Sequence, residues 1–314
     1  MSKKHRAYQS LAAFITAAAS KQTYYTIRLL VDRPLIQDAF RAYAYFRWVD
    51  DVLDAPGGTQ PAQRKATPSN RLDFIGRQQA LLQSFYRGEI PPDLYPEERM
   101  LAELVQNDAG EHPGLQSYLC NMMAVMEFDA SRRGRIITQA ELTEYSRLLS
   151  TAVTDALYYF IGHDDPPPNH EARYLPVTAA HITHMLRDTL EDAQVGYFNV
   201  PREYLQSHDI IESDFTSQAY RKWVCQRAWL AHGYFKTGRQ SLTQVRSLRC
   251  RLAAYAYMAR FEWVLRAIER DNYCLRAEYR GRKGLSAGLW MGWITLRSML
   301  ASLLIKDRSR HPAT

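Results

Sequence analysis

Cysteine is scarce in this chain: four in 314 residues, Cys120, Cys225, Cys250 and Cys274, with no CxxC or other paired spacing. That argues against a disulfide framework or a zinc site and makes a reducing cytoplasm the expected setting. Period-two alternation is missing as well, so no strands are expected. Without a strand there is nothing for a Gly-rich dinucleotide fingerprint to follow, and a bound nicotinamide is unsupported. A basic tail is absent too. The formal net charge of +7 comes from scattered Lys and Arg, which suits an anionic substrate or a membrane surface rather than nucleic acid. Nor is there an uninterrupted apolar run of spanning length. AAFITAAA near the N-terminus is too short for a signal-peptide core and flows into an amphipathic pattern, so it is read as a first helix. The stretch from Gly284 to Ile305 is broken by Arg297 and diluted by Gly, Ser and Thr. It is borderline for a span, which wants about 20 predominantly apolar residues, and is read as a last bundle helix. Peripheral membrane contact stays open if the substrate or product is a lipid.

What the chain does have is apolar residues, 46% of the total, enough for a sizeable core in one large domain or two small ones. They recur at i, i+3, i+4 and i+7 near 8–31, 35–55, 70–88, 95–108, 114–132, 139–162, 176–196, 214–246, 250–271 and 286–305. Breakers fall between these segments: Pro34, the loop APGGTQPAQRKATPSN at 55–70, the IPPDLYP turn, and GHDDPPPNH at 162–170. The expectation is a single all-α domain over 1–314, its helices surrounding a central space. The loop at 55–70 directly follows an acidic cluster, and loops beside sites often close over ligands.

That cluster is FRWVDDVLD, Phe46 to Asp54. On a helix Asp50 and Asp54 lie one turn apart on one face, with Asp51 beside them and Arg47 just before. HMLRDTLEDAQ repeats the arrangement: Asp188 and Asp192 are i and i+4, with Glu191 adjacent and Arg187 preceding. One Asp-xxx-Asp is commonly a solvated helix face. Two at the ends of apolar or aromatic runs (Tyr43, Tyr45, Phe46 and Trp48 before the first, TAAHITHML before the second) suggest a cavity with a charged rim. Opposed carboxylates with gaps between them suit a hard cation such as Mg²⁺, which keeps waters and bridges to substrate phosphate oxygens.

Here a resemblance enters. SKQTYYTIRLL (Ser20–Leu30), AYAYFRWVDDVLD (Ala42–Asp54) and THMLRDTLEDAQVGYFNVP (Thr183–Pro201) resemble, in order and spacing, the Ser-Lys first helix and the two aspartate motifs of the squalene and phytoene synthase family. ELTEYSRLLSTAVTDALYYFIG (Glu141–Gly162) is similar to its central helix, and Tyr257 to Lys283 to its closing Arg/Lys-rich region. The resemblance implies an all-α isoprenoid (terpenoid) synthase fold and Mg²⁺-dependent chemistry on allylic prenyl diphosphates. Asp50, Asp54, Asp188 and Asp192 would hold the metal, neutralising the leaving diphosphate by Lewis acidity. Arg47 and Arg187 would add charge-assisted hydrogen bonds. Lys21 and Arg280 are further anion candidates, with Arg276, Arg282 and Lys283. Asp51, His184 and Glu191 complete the expected substrate-binding set. Tyr43 and Tyr145 fall at positions resembling family site tyrosines, where an aromatic face can stabilise a carbocation.

The departures bear on the product. His184 stands where the family usually carries Asn, the usual Gly-Arg-x-Tyr-x-Pro is Gly196-Tyr197-Phe198-Asn199-Val200-Pro201, and Thr151 and Thr154 fill positions the family often gives to glycine. The motif loses a guanidinium, and added volume would narrow or polarise a tunnel built for a prenyl tail. The expected activity is Mg²⁺-dependent coupling of two prenyl units with release of pyrophosphate. Prenyl transfer to a non-prenyl aromatic acceptor and cyclisation of a single prenyl diphosphate are alternatives, and a non-catalytic helical assembly factor is a lesser one.

Overall fold

The computed structural model describes residues 3–54, 71–108, 113–162, 165, 167–279, 281 and 284–310. Twelve α-helices account for most of them: α1 Lys3–Ala19, α2 Lys21–Leu30, α3 Ile36–Asp54, α4 Arg71–Tyr86, α5 Pro96–Asn107, α6 Gly114–Arg132, α7 Gln139–Ile161, α8 Leu175–Gln194, α9 Arg202–His208, α10 Gln218–Leu242, α11 Leu248–Arg270 and α12 Leu285–Arg310. Among the described residues the only β-type pairing is one isolated bridge, Ile136 to Phe198. The expected all-α class is what the chain adopts.

Two boundaries differ from the sequence reading. The segment 8–31 is two helices, because Ser20 turns extended and its hydroxyl accepts from the Thr23 amide at 3.2 Å, restarting the ladder as an N-cap. The seven-residue α9 had no full amphipathic repeat to reveal it. The loop at 55–70 and Arg280 lie outside the described residues.

The backbone contacts divide into two compact units, Met1–Ser131 with Tyr159–His163, and Arg132–Tyr158 with Asp164–Thr314. In the first, α3 is the central helix, packed by α1, α2 and α5. Its aromatic run forms a wall: Phe46 meets Tyr118 edge-on at 5.4 Å, and Trp48 meets Phe74 at 5.3 Å. Tyr45 is fully buried and its hydroxyl donates to Gln78 at 3.1 Å. Gln78 and Arg77 in turn donate to buried Glu98, which also accepts from the Tyr95 amide at the start of α5. Tyr45, Gln78 and Glu98, brought inside together from α3, α4 and α5, thus answer one another, which is the condition for burying them.

In the second unit α8 packs on α10 and α11, and α11 on α12. The approach of α8 to α10 is close: a Cβ on Gly238 would lie 2.6 Å from Pro176 Cγ. Helix α12 was read as a bundle helix, and one face is: Ala287, Thr295 and Ser302 are buried, and the Ser302 hydroxyl accepts from buried Arg251 at 2.9 Å. Its opposite face is open to solvent. Among the described residues no helix is long and apolar enough to cross a membrane.

Candidate active site

The C-terminal part of α3, from Tyr43 to Asp54, carries five of the expected residues: Tyr43, Arg47, Asp50, Asp51 and Asp54. Tyr43 and Asp50 are half-buried, Asp51 and Asp54 exposed. The Arg47 guanidinium divides itself, donating to Asp50 at 3.2 Å and to Asp51 with its other nitrogen. One arginine does not neutralise the cluster. The Asp50 carboxyl is pushed up to about 6, first by burial and then by Asp54, with Asp129 and Asp51 adding to the repulsion against the opposing pull of Arg47. Asp129, on α6, is a member that sequence reasoning missed. Its signal was an acid closing the apolar run MMAVMEF, with no second carboxylate at helical spacing to draw notice. Lys21, at the first position of α2, is exposed.

On α8 the structure brings together His184, Arg187, Asp188 and Asp192. Arg187 forks onto both oxygens of Asp188, and His184 Nε2 lies 3.2 Å from the same carboxylate. The remaining Arg187 nitrogen, Nη1, is buried with no hydrogen-bond partner, a donor left over for an anion. Glu191 faces solvent instead. At the end of α8, Gly196 takes φ +91, a left-handed turn that favours glycine and folds the chain back so that the Tyr197 amide donates to the Asp192 carbonyl at 2.8 Å. That return places Asn199 against Asp192, its amide nitrogen 2.9 Å from the carboxylate. Buried Arg132 donates to the Asn199 oxygen at 2.9 Å, and its guanidinium lies 4.9 Å from the Tyr145 ring and 4.8 Å from that of Tyr197. The guanidinium lost from the motif at position 197 is therefore met by one from α6, stacked on the tyrosine that replaced it.

Tyr145 also meets the edge of His181 at 4.9 Å. His181 is buried, its Nε2 has no partner, and it sits two turns before Asp188 on α8. Neither Arg132 nor His181 was anticipated; a lone histidine within TAAHITHML reads as core until its neighbours are known. On α7 Thr154 is buried with an unpartnered hydroxyl, whereas Thr151 is half-buried.

Among the described residues no three His, Cys, Asp or Glu side chains gather into a metal-holding group. The donors come in pairs, and they are carboxylates. A pair suits a cation that takes one or two carboxylates and leaves the rest of its shell to water and phosphate. The unrelieved negative charge around Asp50 fits such an ion, and a soft or tetrahedral site is not provided.

The all-helical fold defines a class, and solved structures share that fold. A squalene synthase from Alicyclobacillus acidocaldarius superposes with a TM-score of 0.65 at 19% identity, covering 88% of this chain and 98% of that one. A dehydrosqualene synthase crystallised with a ligand gives 0.67 at 16%, covering 97% and 99%. Residues 16–285 match the squalene/phytoene synthase family model, so the chain belongs to that family and is a prenyltransferase of the squalene/phytoene synthase type. Among curated relatives, it is 27% identical over 229 residues to a presqualene diphosphate synthase of Zymomonas mobilis, covering 71% of this chain and 72% of the relative. It is 26% identical over 194 residues to one of Rhodopseudomonas palustris, covering 61% and 62%.

Proposed function

We propose that the chain is a Mg²⁺-dependent synthase that couples two allylic prenyl diphosphates, of the kind its relatives' names describe: a presqualene diphosphate synthase. The observation that carries this is the acid cluster on α3: Asp50, raised first by burial and then by Asp54, lies with Asp51 against the single guanidinium of Arg47. Such a cluster is built to receive a hard cation and, through it, an anion. Asp50 and Asp54 would hold metal on α3, and Asp188 and Asp192 on α8. Bound there, Mg²⁺ supplies Lewis-acid neutralisation of the leaving diphosphate. Arg47 and the free Nη1 of Arg187 take diphosphate oxygens, and Tyr43 and Tyr145 offer ring faces to the cation that ionisation leaves. In the coupling the donor C–O bond breaks and its electron pair departs with pyrophosphate. The double bond of the second prenyl unit then attacks the allylic cation, and a proton is lost. Because the family match runs from 16 to 285 through both compact units, the two are read as one catalytic domain. Its setting is read as the cytoplasm, with peripheral contact to membrane where its lipid product resides.

A second reading, transfer to a non-prenyl aromatic acceptor, draws on Thr154. A buried hydroxyl without a partner on α7 is a polar point where a purely hydrocarbon tail needs none. Purified protein incubated with Mg²⁺ and geranyl, farnesyl or geranylgeranyl diphosphate separates the two readings. Pyrophosphate release with prenyl diphosphate alone, and a coupled product by mass spectrometry, supports the first; release only when an aromatic acceptor is added supports the second. Asp50→Asn or Asp188→Asn should abolish turnover with helicity intact. No pyrophosphate with any substrate, with or without acceptor, overturns both readings.

A further inference from the structure

Along α12, Leu285, Leu289, Trp293, Leu296 and Leu300 are 82, 67, 61, 52 and 52% exposed. At 100° per residue these five positions fall within an arc of about 80°, and they run about 22 Å along the helix. Single exposed leucines are ordinary, but four in one unbroken stripe with a tryptophan at its centre mark a contact surface. The opposite face of the helix is already committed to α11, so the stripe is not a core face caught half-covered. Beside it, on the flank between α10, α11 and α12, opens a cleft of about 410 Å³ lined among others by Arg239, Arg266 and Arg297. Arg239 is held by Glu262. Arg266 is exposed and lies 4.8 Å over the Trp290 ring, and Arg297 is exposed at the border of the stripe; neither has a carboxylate partner among the described residues.

We propose that this face docks on an anionic lipid bilayer, α12 lying in the interface plane with the leucine–tryptophan stripe among the acyl chains and Arg266 and Arg297 on lipid phosphates. A helix with an apolar face, a basic border and no capacity to span is the form such contacts take. Charge decides the occupant. From Leu285 to Ile305 the helix holds no carboxylate, so a second copy would set basic borders together with nothing on α12 to answer them, whereas anionic headgroups answer all of them. The inference rests on the prenyl-transfer reading only in that a lipid product makes such a surface useful. Vesicle binding needs no substrate, so the two fail separately.

The test is flotation of full-length protein with vesicles of phosphatidylglycerol and phosphatidylcholine, and with phosphatidylcholine alone, at low and high salt. Wild type should float with the anionic vesicles and lose binding as salt rises. Leu289→Ser with Trp293→Ser should lower partition about tenfold or more, as removing two buried side chains from the interface requires. Arg266→Gln with Arg297→Gln should abolish the preference for phosphatidylglycerol. These residues are exposed, so helicity and sedimentation of both variants should be unchanged. Failure of wild type to float, binding indifferent to both variants, or a wild-type dimer that the serine variant converts to monomer would each overturn the proposal, the last in favour of a second copy.

Discussion

His181 shows how much one side chain can owe to its surroundings. Burial, and then the neighbouring His184, Arg132 and Arg227, hold its imidazole well below the ordinary histidine value, so in the folded protein it stays neutral. The unfolded chain would take up a proton near pH 6.5. The folded state cannot, so stability present above about 6.5 is lost as pH falls through that value. Asp50 works in the other direction. Its carboxyl is raised to about 6, so its contribution is fully present below about 4, the ordinary carboxylate range, and is lost as pH rises through 6. The informative quantity is therefore a difference. His181→Phe keeps an aromatic edge against Tyr145, and thermal melting between pH 7 and 5 should fall less steeply in it than in wild type. Identical slopes would show that His181 protonates freely in place. Asn199 is a second such case. It stood out in the sequence only as a departure from a motif, since nothing in the pattern says that a turn at Gly196 returns it to Asp192, or that Arg132, 67 residues earlier, braces it. Partners that orient a metal-binding carboxylate typically matter by about 10- to 100-fold. Asn199→Ala should lower kcat/KM, or the affinity for pyrophosphate with Mg²⁺, by that factor while leaving the helix content alone.

At the scale of elements, most helices were legible because a 3.6-residue apolar repeat leaves a long trace. The exceptions have local physical causes. Ser20 interrupts a repeat that continues in register on both sides, so a hydroxyl cap was invisible to periodicity. Helix α9 is too short to show a period. Helix α12 is apolar nearly all round, and composition could not say which side was covered; only its packing on α11 sorts Ala287 and Thr295 from Leu289 and Trp293. Both aspartate pairs were legible, because i and i+4 spacing is a property of one helix. Their partners from other helices, Asp129 and Arg132, were not, since a sequence does not state which helices meet. The close approach of α8 and α10 belongs to the same class of hidden fact, and it yields a prediction contrary to helix propensity. Alanine in mid-helix is ordinarily favoured over glycine by about 1 kcal/mol. At Gly238 the added methyl would strike the Pro176 ring, and overpacking of that kind costs about 1–3 kcal/mol. Gly238→Ala should lower the melting temperature rather than raise it; a stabilised variant would mean the helices part without cost.

For the whole molecule, the prenyl-transfer reading asks that two acid pairs on different helices serve one diphosphate. Anything that binds only the folded protein raises its melting temperature, by about 2.7 kcal/mol of stability at a hundredfold excess over Kd. Pyrophosphate with Mg²⁺ should therefore stabilise this chain, and neither component alone should do as much. The distinguishing measurement is a cycle of Asp50→Asn, Asp188→Asn and the double variant. If each pair bound its own ligand, each single variant would keep part of the shift and the two losses would add, as they do for independent sites. If both grip the same diphosphate, either single change removes nearly all of the shift and the second removes little more, as seen for residues that act as a unit. The non-additive result is expected, and since it is read without turnover, it would hold whichever acceptor completes the reaction.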